Sequence, residues 1–193
     1  AFAATTEALT VTLLPELLRR VSLHPEVPKD VVSVFEGAYA AELDHWRFIR
    51  RYWRPDTERF WIPDGVWGGS GNALNLTSVG HALVAGETLF VNTYLLGVTL
   101  LAGARRSTFA RYAAELAGVE SEHRVLAQTL VGASPPNNYG FSRFEFNRVS
   151  KIKAALESAG IGLGKQGASP GAFYHLSHPP MAPPIPIASN TPR

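Results

Sequence analysis

The chain has 193 residues, 46% of them hydrophobic, enough to bury one sizeable core. Eighteen Lys/Arg against sixteen Asp/Glu leave a formal net charge of +2, so overall charge nominates no nucleic acid partner. The absence of cysteine removes disulfides, thiolate metal sites and cysteine nucleophiles together.

A first helix is predicted over residues 2–22, from Phe2, Val11, Leu14, Leu18 and Val21 at helical spacing. Pro15 lies inside it and predicts a kink or a break. The start at Ala1-Phe2-Ala3-Ala4 offers small residues that suit the downstream edge of a cleaved export signal. The expected location is therefore secreted or periplasmic, with the cytoplasm as the alternative. After a turn at His24–Pro28, a second helix is predicted over 29–53, striped by Val31, Val34, Phe35, Ala38, Ala41, His45, Ile49 and Tyr52 and stopped by Pro55. Residues 54–76 read as a long irregular crossover, with Phe60, Trp61 and Trp67 to pack it and a Gly-rich run at 68–71.

A third helix is expected over 78–102. Its run from Thr88 to Ala104 has 17 residues without a charge. That is borderline for a membrane span, and the run reads better as the buried helix of a bundle, so no transmembrane span is expected. A fourth helix is predicted over 107–131, capped by Ser107, striped by Phe109, Tyr112, Leu116, Val119, Leu126 and Leu130, and closed by Gly132. A fifth covers 145–159, with Val149, Ile152 and Leu156 inward. From Ile161 the chain is rich in Gly and Pro and is expected to be extended along the domain surface. No strand is predicted, and the fold class is all-α. Three regions follow: a four-helix bundle at 1–132, an added helix at 133–160 and a tail at 161–193.

Two Glu-x-x-His pairs stand out against this background. Glu42/His45 and Glu120/His123 each fall on the apolar stripe of a helix, where i and i+3 share a face. Polar groups in such places need partners. Following the other stripes adds Glu7 on the first helix and Glu87 on the third. At about 1.5 Å per residue, Glu7 and Glu42 lie roughly 22 and 20 Å from the turn that joins their helices, and Glu87 and Glu120 roughly 24 and 20 Å from theirs. Ligands within each predicted hairpin thus face one another at nearly one level. Four carboxylates and two imidazoles brought together repel unless cations neutralise them. Two metal ions resolve the conflict, and this oxygen/nitrogen donor set suits iron or manganese, with zinc also compatible.

The arrangement resembles the ferritin-like di-metal carboxylate family, in which two helices each give a Glu and two others each give Glu-x-x-His. Glu7, Glu42, His45, Glu87, Glu120 and His123 match that pattern position by position. The wording ATTEALTVTLL at 4–14 and ELAGVESEHRVLAQTLVGA at 115–133, with the Pro/Gly-rich tail, resembles the desiccation-related branch. The resemblance covers about residues 1–132. It implies a ferritin-like four-helix bundle with a long crossover between the second and third helices, and a di-metal oxidoreductase that treats metal ions or a small substrate with dioxygen or peroxide. The alternative is a metal-free scaffold, a homo-oligomer or a subunit of a larger assembly, docking through the Trp-rich crossover and the proline tail.

Other polar residues have simpler readings. Arg47, Arg50, Arg51 and Arg54 form a solvated basic face that complements a helix C-terminus. His81, one and a half turns before Glu87, reads as an ordinary helix-start histidine, with support of that ligand as the alternative, and His175 and His178 are expected at the surface. Tyr39, Tyr94 and Tyr112 lie near the ligand level and are expected to pack there.

Overall fold

The computed structural model describes residues 1–176, 178–184, 188 and 192, and the described chain is mostly helical. It divides into two units, Ala1–Leu74 with Gly160–Arg193, and Asn75–Ala159.

In the first unit, α1 (Phe2–Val21) and α2 (Lys29–Ile49) pack as a hairpin. Pro15 does not break α1, which runs as one helix through it. From Ala4 to Val11 every residue of α1 is buried, so its polar side chains must find partners locally. The hydroxyls of Thr6, Thr10 and Thr12 donate to carbonyls three or four residues back, at 2.6–3.1 Å. Thr5 Oγ1 accepts from the Asp56 amide at 2.8 Å and so ties down the chain beyond α2. Asp30 in the first turn of α2 and Arg47 in its last turn complement the helix dipole. The helix stops at Ile49, before the predicted 53, and passes through a turn at 50–53.

The expected irregular crossover contains a strand, β1 (Arg59–Pro63), and a single helical turn, α3 (Asp64–Trp67). The expected extended tail supplies two more strands, β2 (Gly162–Leu163) and β3 (Gly171–His175). Both lie antiparallel to β1 in the order β2-β1-β3, with Phe60 opposite Leu163 and Trp61 opposite Phe173. This corrects the reading that the chain has no strand. The tail's glycines explain how the strands close on Trp61. A Cβ on Gly162 would fall 2.0 Å from the Lys165 carbonyl oxygen, and one on Gly167 would fall 2.6 Å from Trp61 Cδ1. Trp61 Nε1 donates to the Ser169 carbonyl at 3.1 Å, and its ring meets Phe173 edge-on at 5.0 Å.

A buried arginine joins helix to sheet in this unit. Arg20 bonds Glu16 at 2.8 Å, the Ala73 carbonyl at 2.8 Å and the Tyr174 hydroxyl at 3.1 Å, and its guanidinium lies 4.5 Å from the Trp67 ring centre. Phe60, Trp61 and Trp67 are all buried. The crossover aromatics therefore pack inside this unit.

In the second unit, α4 (Leu76–Gly103) and α5 (Ser107–Leu130) form a long hairpin, and α6 (Val149–Ser158) packs on α4 and buries Ile152 and Leu156. The cap of α4 is Asn75, whose Oδ1 accepts from the Ser78 amide at 2.9 Å, so the helix starts two residues before the predicted 78. Ser107 is not a cap: it lies inside α5, and Arg106 holds the capping position without a side-chain bond. Close approach of α4 and α5 depends on Gly80, where a Cβ would meet Val131 at 2.8 Å and Leu130 at 2.9 Å. The uncharged run lies in α4, which is long and apolar enough to cross a membrane by length and composition alone; 39% of its apolar window is buried.

Candidate metal centre

The buried stripes of the helices decide where the six predicted ligands stand. In the first unit, α1 carries Glu7 and α2 carries Glu42 and His45. One ligand atom from each lies within 4.8 Å of the others. Glu7 and Glu42 are each 1% exposed, and the His45 side chain 11%. The imidazole presents Nδ1 to both carboxylates, 3.7 Å from Glu7 Oε2 and 3.5 Å from Glu42 Oε2.

The second unit repeats the arrangement. Glu87 of α4 joins Glu120 and His123 of α5, again with ligand atoms within 4.8 Å of one another. All three are buried, and His123 Nδ1 lies 3.3 Å from Glu120 Oε2. Every one of the six predicted residues therefore falls into one of two trios, each made of two carboxylates and an imidazole.

Distance and charge both bear on what such a trio can hold. Two carboxylates at this separation repel by roughly 3 kcal/mol at an effective dielectric constant of about 20. A divalent cation turns that repulsion into attraction. The nitrogen–oxygen separations of 3.3–3.7 Å run longer than an ordinary N–H···O bond. Two ligands each about 2.1 Å from one ion stand about 3.0–3.4 Å apart, so the observed spacings lie near those of ligands that share a metal. The donor set itself, hard oxygen with borderline nitrogen and no sulfur, fits iron, manganese or zinc.

The remaining predicted residues are placed as follows. His81, His175 and His178 are exposed. Tyr39, Tyr94 and Tyr112 are buried. Burial pushes the Tyr39 phenol up, against a smaller downward pull from Arg47, and its hydroxyl donates to the Pro180 carbonyl. Arg47 pairs loosely with Asp44 at 3.9 Å, and Arg50, Arg51 and Arg54 are exposed, as a solvated face requires.

The stripe drawn for α5 needs correction. Leu126 is exposed, and Arg124, Ala127 and Gln128 are buried in its place. Asn92 was visible only as the one amide in an apolar run. It is buried, and its Oδ1 accepts from the Glu145 amide at 2.8 Å, fixing the chain that leads to α6.

Compared with known proteins, the chain matches no family model, no curated protein and no solved structure.

Proposed function

We propose that the protein is a ferritin-like di-metal carboxylate protein, in which each trio holds one transition-metal ion. The observation that carries the reading is the repetition of one buried set, Glu/Glu/His, in each unit. A single Glu-x-x-His pair is common on helices. Two pairs, each joined by a buried Glu from the neighbouring helix of its hairpin, are not readily explained by packing.

The protein's own residues contribute position and charge. The i, i+3 spacing turns each Glu and His toward the same point, and the backbone ladders of α2 and α5 hold that orientation without help from loops. Glu7 and Glu87 bring the second carboxylate from a different helix, so each trio spans a helix pair. Burial keeps bulk water from competing for the donor atoms. When bound, iron or manganese supplies open coordination positions for reduction of dioxygen or peroxide.

The scaffold alternative separates cleanly from this reading. Under the proposal, His45→Ala and His123→Ala each lower metal content and abolish iron-dependent consumption of dioxygen or peroxide, while helical content is retained. Unchanged metal content and turnover in both variants would sink the proposal and favour a metal-free bundle.

A further inference from the structure

The connection between α5 and α6 folds over a buried charge that the metal trios do not use. Arg124 is 5% exposed, on the buried face of α5. Its Nη2 donates to Ser142 Oγ at 3.1 Å, and its guanidinium carbon stands 4.5 Å from the centre of the Tyr139 ring. Its Nε has no hydrogen-bond partner, and among the described residues no carboxylate pairs with it. One turn further along the same face, Gln128 is 6% exposed, and its Oε1 also has no partner.

A guanidinium cannot shed its proton to escape burial. A buried cation without a counter-charge is strongly unfavourable, and a cation–π contact with one ring offsets only part of that cost. The missing element is an anion. We propose that Arg124 and Gln128 form a binding site for a small oxyanion, closed over by the 139–142 segment.

The contacts already made define what is left for the ligand. Tyr139 covers a face of the guanidinium, and Ser142 takes up one Nη2 proton. The edge that includes Nε remains, and such an edge presents parallel N–H groups matched to two oxygens of a phosphate or carboxylate. Gln128 Oε1 needs a donor, which a protonated ligand oxygen supplies. Monohydrogen phosphate meets both demands; a simple carboxylate meets only the first. The site stands whether or not the neighbouring His123 binds metal.

The test is thermal unfolding of the full chain in chelator, with inorganic phosphate or acetate added against chloride at matched ionic strength. Phosphate at about 100 times its Kd is expected to raise Tm by roughly 5–10 °C. Acetate is expected to give less, and a larger rise with acetate would assign the site to carboxylates instead. Arg124→Met is expected to abolish the anion-dependent rise while leaving Tm in chloride unchanged or higher, because it removes a buried unpaired charge. Arg124→Lys keeps the charge but not the paired N–H edge, and is expected to weaken binding about tenfold or more; it carries the test if the Met variant does not fold. No rise with either anion, or a rise that is undiminished in Arg124→Lys or persists in Arg124→Met, would overturn the proposal.

Discussion

At the scale of single residues, buried carboxylates set the charge balance of both units. Glu7, Glu42, Glu87 and Glu120 are buried as pairs, each pair with an imidazole at hand. Glu16 is the contrasting case. Burial pushes its carboxyl up, but the hydrogen bonds and charges of Arg19 and Arg20 outweigh that and hold it below its ordinary value of 4.5. A carboxyl lowered in the folded state stabilises the fold above its unfolded pKa, and that contribution is lost as pH falls through the folded value. Stability of the wild type should therefore decline below about pH 4.5, and Glu16→Gln should flatten this acid-side dependence. Thermal denaturation across that range checks it; an unchanged slope in the variant would contradict the role. Glu16→Gln should also lower stability at neutral pH, since buried Arg20 keeps a neutral partner in place of a charged one.

Residues of this kind were legible in the sequence to different degrees. The gathering of the six Glu and His residues into trios could be read because each is a polar exception on a stripe of apolar neighbours at helical spacing. Arg124 and Gln128 could not. The stripe through Leu116, Leu126 and Leu130 is regular without them, whereas α5 buries a wider arc that takes in Ala113, Ala117, Arg124, Ala127 and Gln128. Alanines mark such an arc weakly, and a leucine at its edge can stay exposed, as Leu126 does.

At the scale of elements, the long helices were legible because periodicity accumulates over many turns. Their ends were less so. Asn75 caps α4 where Ser78 was expected as the first residue, and α2 unwinds after Ile49 although its stripe continues to Tyr52. The sheet was not legible. β2 is only two residues long, and β3 lies in a Gly/Pro-rich tail whose glycines read as breakers. What makes them strands is the distant partner β1, about a hundred residues earlier, and no local pattern carries that information. Packing within an element pair is testable at Gly80. Gly80→Val places atoms where Val131 and Leu130 already stand and should cost about 1–3 kcal/mol. At roughly 2–4 °C per kcal/mol for a chain of this size, the loss is readable as a lower Tm. A variant as stable as the wild type would show that α4 and α5 can separate at this level without penalty.

At the scale of the whole molecule, the chain uses one plan in each of its two units: a helix hairpin, one inward Glu on one helix and Glu-x-x-His on the other. The first unit adds a three-stranded sheet and the second adds α6. Under the proposed function, metal held by the two trios stabilises the folded state by mass action, so stripping it with a chelator should lower Tm, and restoring it should reverse the change. The equivalence of the two trios makes a further demand, that each hold one ion of its own. Titration of the metal-stripped full chain with iron(II) or manganese(II), followed by metal analysis after desalting, tests this most directly. The account predicts two ions retained per wild-type chain and one in either His45→Ala or His123→Ala. Retention of none by the folded wild-type chain would contradict it.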